Sequence, residues 1–202
     1  EAKAVLDDFA ASGVMFTTFL GGEPLTRKDI YELVDYSTDL GIYTALLTNG
    51  LNVRPHKIDR LLEGGLEMIG VSIDSTDPAV HDAVRGVKGS LAGALGTIRY
   101  AIRNGLRTSV RIVVSEDSYP AIPDLFRWAI DEGVEELILL PMFMVGRAAG
   151  GTEDRRADIV GKELFLKTLR RLQAIGEPLG ITVPTQSRLA CPQGIELRAP
   201  DH

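Results

Sequence analysis

An α/β fold with a parallel sheet is what this sequence predicts, and three observations carry the prediction. Six times a helix-like stretch ends in a glycine followed at once by an aliphatic residue: Gly13-Val14, Gly41-Ile42, Gly65-Leu66, Gly105-Leu106, Gly133-Val134 and Gly180-Ile181. Glycine stops a helix at low cost because it alone enters the left-handed region without a side-chain clash. Behind each glycine runs a short apolar stretch, the pattern of a strand covered on both faces by helices. Polar and unusual residues gather at the far ends of these stretches: Gly21-Gly22-Glu23-Pro24, Thr48-Asn49-Gly50, Ser72-Ile73-Asp74-Ser75, Ser115-Glu116-Asp117 and Gly146-Arg147. In parallel α/β folds the carboxyl ends of the strands form the ligand face.

The chain opens inside a helical pattern, with Ala2, Val5, Leu6 and Phe9 on one stripe, no capping residue ahead of it and no Met at the start. A segment upstream is therefore expected. The first strand, 14–20, is almost all apolar or β-branched and reads as buried on both faces, with a neighbour on each side. Thr26 is placed to cap a helix carrying Ile30, Leu33 and Val34, with Asp29 in its first turn. Further strands are expected at 42–48, 67–73, 108–114 and 136–141, with a short extra one at 181–183, and a brief helix at 55–63. Beyond the third strand, Asp77-Pro78 starts a helical turn that Arg85-Gly86 breaks. Ser90 then caps a helix whose stripe is Leu91, Ala94, Leu95, Ile98 and Ile102. Ile122, Leu125, Phe126, Ala129 and Ile130 mark the next helix, and Phe165, Leu169 and Leu172 the last.

At 202 residues the chain suits one well-buried domain, and its 45% hydrophobic and 25% charged content is ordinary for a globular protein. A net charge of -6 without a Lys/Arg cluster speaks against nucleic-acid binding. No apolar run reaches the length of a membrane span, and no signal peptide is visible, so a cytoplasmic setting is expected. One cysteine, Cys191, allows no intrachain disulfide and cannot alone build a thiolate metal site.

The chemistry is expected at the strand ends. A glycine pair lets a ligand approach the backbone closely, and Pro24 withholds an N–H, so Gly21, Gly22 and Glu23 suit an ammonium group; a plain strand-to-helix turn is the competing reading. Ser72 and Asp74 project the same way from one strand and can grip a ribose diol or an amino-acid backbone, or simply cap the following helix. Arg85, in the long loop, has the side chain best shaped to clamp a carboxylate, though an exposed surface arginine is equally ordinary. Thr48-Asn49-Gly50 reads as a turn. Arg111 alternates with Val110 and Ile112; if those two face the helices, it faces the other side of the sheet and needs an acidic partner or ligand. His56 and His81 at helix starts and His202 at the terminus read as surface histidines.

With these residues in place, the chain resembles the radical S-adenosylmethionine (SAM) superfamily, in particular its maturase branch with C-terminal auxiliary-cluster (SPASM or twitch) domains. The resemblance rests on Phe19 through Leu25, Thr48-Asn49-Gly50, Ser72-Ile73-Asp74, His81-Asp82 through Val84-Arg85-Gly86, Gly89-Ser90, and Pro141 through Gly146-Arg147-Ala148, each weak alone and specific in order and spacing. It implies a partial (β/α)6 TIM-like barrel of parallel strands, with the first strand missing, over 1–190, and the start of a C-terminal extension over 191–202. It also implies SAM across the strand ends. Gly22 and Glu23, within Gly21-Gly22-Glu23-Pro24, would take the methionine amino group; Ser72 with Thr48 or Asn49 would hold the methionine and ribose. Arg85 would pair with the SAM carboxylate, and Pro141 and Met142 would flank adenine. Cys191 falls where an auxiliary-cluster domain begins and is a candidate first ligand there.

The resemblance further implies a [4Fe-4S] cluster that cleaves SAM reductively, giving a radical that abstracts hydrogen from a peptide or small-molecule cofactor precursor, with an electron donor as partner. The family's CxxxCxxC loop is not in this chain, so the fragment alone is expected to be inactive. Two other readings stay open: a non-catalytic module binding a SAM-like ligand, and an unrelated barrel enzyme such as an aldolase, although no lysine lies in any expected strand.

Overall fold

The computed structural model describes residues 1–141, 155–179, 181 and 193–196. In chain order the elements are α1 (Ala2–Ala11), β1 (Phe16–Phe19), a 3-10 turn (Pro24–Thr26), α2 (Ile30–Asp39), β2 (Tyr43–Thr48), α3 (Pro55–Glu63), β3 (Met68–Ser72), α4 (Pro78–Arg85), α5 (Ser90–Arg103), β4 (Arg107–Val114), α6 (Ile122–Glu132), β5 (Glu136–Pro141), α7 (Arg155–Gly176), a second 3-10 turn (Glu177–Leu179) and β6 (Gln193–Glu196). The strands follow one another through the sheet as β1-β2-β3-β4-β5-β6. Helices separate the first five, which is the connectivity of an α/β partial TIM-like barrel.

The glycine joints account for this regularity. Gly13, Gly41, Gly65, Gly105 and Gly133 all have φ between 74° and 83°. At each joint the glycine N–H bonds three residues back, and the following aliphatic N–H bonds five residues back: Val14 to Phe9, Ile42 to Ser37, Leu66 to Leu61, Leu106 to Ala101 and Val134 to Ala129. This paired closure satisfies carbonyls that a helix end leaves open and swings the chain into the next strand. Gly180 lies outside the described residues, yet the Ile181 N–H makes the corresponding bond to the Gly176 carbonyl at 3.0 Å.

The chain divides into two compact units, Glu1–Ser72 with Arg85–Ser109, and Ile73–Val84 with Val110–His202. In the first, β1 and β2 pair in parallel with Phe16 opposite Tyr43 and Phe19 opposite Leu46, and β2 and β3 with Ala45 opposite Met68 and Thr48 opposite Val71. Its core gathers Leu25, Ile30, Val34, Leu46, Ile58, Leu61, Leu66, Ile69, Ala101 and Leu106, so the turn after β1 packs into the same cluster as the helices. In the second unit Val110, Ile112 and Val114 of β4 are buried, as are Ile122, Leu125, Phe126 and Ala129 of α6 and Phe165, Leu169 and Leu172 of α7. β6 runs antiparallel to β5, with Glu136 opposite Glu196 and Leu139 opposite Gln193.

Several local expectations change. β1 is shorter than expected and not covered on both faces: Met15 is 81% and Leu20 62% exposed, and Phe16 stacks on Tyr43 with ring centres 5.4 Å apart. The physical reason is its place at the end of the strand order, where β2 is its one neighbour among the described residues. Thr26 does not cap α2; its hydroxyl donates to the Glu23 carbonyl oxygen at 2.7 Å, closing the 3-10 turn, while Asp29 stands at the N-cap with its carboxylate on Arg27. Gly89, at φ 84°, occupies the N-cap of α5, one residue before Ser90. β6 falls in the segment read as an extension; the strand expected at 181–183 lies, apart from Ile181, outside the described residues.

Candidate functional site

The first unit brings two of the strand-end motifs together through one carboxylate. Glu23, preceding the 3-10 turn after β1, accepts the Thr48 hydroxyl on Oε1 at 2.7 Å and the Asn49 N–H on Oε2 at 2.8 Å; Oε1 also takes the Leu25 N–H at 3.3 Å. Parallel register explains the meeting, because β1 and β2 run side by side and both motifs lie just past their carboxyl ends. Thr48 and Val71 are opposite each other, so Ser72, at the end of β3, stands level with Asn49. Thr48 Oγ1 further accepts the Gly50 N–H at 3.1 Å, and Asn49 Oδ1 accepts the Leu51 N–H at 2.8 Å. Thr48 thus serves the turn itself, in line with the turn reading of Thr48-Asn49-Gly50.

Gly21 and Gly22 are exposed, and a Cβ on either would meet nothing within 4 Å, so a ligand can lie against this backbone. Gly21 has a φ of 108°, open to glycine alone in practice. On the other side the loop is held by α5. A Cβ on Gly50 would stand 2.7 Å from the Ala94 Cα, one on Gly93 would stand 2.8 Å from the Leu51 carbonyl oxygen, and the Thr97 hydroxyl donates to the Gly50 carbonyl at 3.1 Å. Gly93 and Thr97 escaped sequence reading because their partners lie more than forty residues away.

In the second unit, the Ile73 N–H bonds to the Arg111 carbonyl at 3.1 Å. One residue on, Asp74 is buried beside His81, a histidine with 0% exposure. The expectation of a surface histidine is corrected: His81 Nδ1 accepts the Asp74 N–H at 3.1 Å and lies 3.5 Å from Asp74 Oδ2. A neutral ring with its proton on Nε2 makes that bond. Asp77 sets the geometry, since its Oδ1 accepts the Ala79 N–H at 2.8 Å and its carbonyl the His81 N–H at 2.9 Å, turning α4 so that His81 faces back to the strand end. The sequence signal was Asp77-Pro78, which puts His81 in the first turn.

Arg85 is the last residue of α4 and half-buried. Arg111 is half-buried too; burial pulls its guanidinium below the ordinary value, and the charge of Glu136 opposes that. Pro141 ends β5, while Met142 and Cys191 lie outside the described residues. Among the described residues no cluster of three or more His, Cys, Asp or Glu could hold a metal ion, and no helix is long and apolar enough to cross a membrane. A single cysteine in the whole sequence does not supply the three thiolates of an iron-sulfur cluster.

The radical SAM superfamily matches residues 1–140. The chain belongs to the radical SAM superfamily. It is 33% identical over 150 residues to the AdoMet-dependent heme synthase of Nitratidesulfovibrio vulgaris, covering 74% of this chain and 41% of that protein. It is 34% identical over 188 residues to the pre-heme d1 synthase of Dinoroseobacter shibae, covering 90% and 46%. SuiB of Streptococcus suis, solved with its precursor peptide SuiA, has the same fold at a TM-score of 0.69 and 20% identity, covering 88% of this chain and 38% of SuiB; its structure with S-adenosylmethionine gives 0.68 at the same identity and coverage. This radical SAM chain therefore spans less than half the length of these curated relatives.

Proposed function

We propose that the protein carrying this chain is a radical SAM enzyme of the SPASM/twitch maturase type, which cleaves SAM reductively and abstracts hydrogen from a peptide or tetrapyrrole-like cofactor precursor. The observation that carries the reading is the Glu23 carboxylate, which ties the Gly21-Gly22 turn to Thr48 and Asn49 at adjacent strand ends. A carboxylate has about four lone-pair directions. Leu25, Thr48 and Asn49 take three, and one is left for a ligand ammonium lying over the bare glycine backbone. Ser72 and Asp74 offer a hydroxyl and a carboxylate for methionine or ribose, Arg85 a fork for the SAM carboxylate, and Pro141 with Met142 an apolar edge for adenine.

A [4Fe-4S] cluster would need cysteines that this chain does not contain, and would supply the electron when bound. The part played by these residues is to orient SAM and limit its motion. The relatives named as heme and pre-heme d1 synthases and the fold shared with SuiB support the substrate classes. A cytoplasmic setting and a separate electron donor go with the reading. The full-length protein, reconstituted anaerobically with iron and sulfide, is expected to be brown and to cleave SAM when dithionite is added. A colourless product that binds SAM without cleaving it would replace the enzyme by a binding module, and one that does not bind SAM would overturn the reading.

A further inference from the structure

We infer that Arg111 is a carboxylate-binding residue, its guanidinium held open on the non-core face of β4 for an acidic group of a bound ligand. Val110, Ile112 and Val114 are all buried in the core, so Arg111 and Val113 project to the opposite face. That face opens toward the end of the strand, where Val113 is 39% exposed, although Ser109 two residues before Arg111 is buried. The Ile73 N–H to Arg111 carbonyl bond ties the Arg111 backbone to the residue that precedes Asp74.

Arg111 Nε is buried yet has no hydrogen-bond partner among the described residues. Glu136 acts on Arg111 through its charge, with no ion pair between them among the described residues. Native proteins leave few buried donors unsatisfied, and a bound ligand is one way in which such an exception is met. A planar guanidinium offers parallel N–H groups that match the two oxygens of a carboxylate. The radical SAM reading supplies two sources of that group, a carboxylate on the substrate and the methionine carboxylate of SAM, which Arg111 would then share with Arg85, and the inference rests on that reading for the choice.

The test uses the full-length protein and its Arg111→Gln and Arg111→Lys variants, with melting curves confirming that each is folded. Dissociation constants are measured for two matched pairs: SAM against decarboxylated SAM, and coproporphyrin III against its tetramethyl ester. Arg111→Gln is expected to weaken one acid by about tenfold or more while its carboxylate-free partner changes little, with Arg111→Lys between the two proteins. Loss confined to SAM assigns its methionine carboxylate, and loss confined to coproporphyrin III assigns a substrate carboxylate. Unchanged affinity for both acids, equal losses within each pair, or no binding of either acid by the wild type overturns the inference. A wild type that binds the porphyrin acid through Arg111 but not SAM keeps the inference and removes the radical SAM reading.

Discussion

His81 shows how a single side chain fixes a strand end. The Asp74 N–H is buried just past β3, and an imidazole nitrogen from α4 is its acceptor. His81→Leu is expected to destabilise the fold by about 1–3 kcal/mol, the cost of a stranded buried donor, while His81→Asn, whose Oδ1 can replace Nδ1, recovers much of it. Urea unfolding of the three proteins measures this; equal midpoints for Leu and Asn would refute the bond as the cause. Glu23 is the second such residue. Glu23→Gln keeps the shape but puts an amide where either Thr48 or Asn49 needs an acceptor, so SAM affinity is expected to fall by about tenfold or more, read by equilibrium dialysis. At this scale the motif letters were legible and the bonds were not. Glu23 and Thr48 are 25 residues apart, and only strand register brings them together.

The helix-to-strand joints were fully legible, because five glycines with the same closure encode them within six residues of chain. The crossing of the β2 loop with α5 was not, since Gly93 resembles any helical glycine in sequence. Gly93 and Gly96 therefore make an informative pair on one helix. A Cβ at Gly93 meets the Leu51 carbonyl at 2.8 Å, whereas one at Gly96 meets nothing within 4 Å. Gly93→Ala is expected to cost roughly 1–3 kcal/mol through overpacking against backbone. Gly96→Ala is expected to stabilise by roughly 0.5–1 kcal/mol through helix propensity. Chemical denaturation distinguishes them by opposite shifts of the midpoint, and shifts of the same sign would contradict the close approach.

Over the whole molecule, the fold class could be read because every helix-to-strand step repeats the same local grammar. The exposure of β1 could not, because Met15, Phe16 and Leu20 are apolar whether or not a neighbour covers them. β6 was also missed, since four residues, Gln193–Glu196, carry no periodicity that separates a strand from a loop. Bound SAM should raise global stability by mass action, by about 2.7 kcal/mol at one hundred times its dissociation constant. A melting temperature of the full-length protein unmoved by saturating SAM would contradict specific binding.

The Glu23 clasp has a consequence for the speed of recognition. Its three donors belong to the polypeptide itself, so the clasp is assembled at folding, before any ligand arrives. Capture of SAM at the proposed site is then expected to sacrifice little loop freedom, with encounter rather than rearrangement setting its pace. Rapid mixing should accordingly show an observed rate that climbs linearly with nucleoside concentration, without the plateau that a slow closing step imposes.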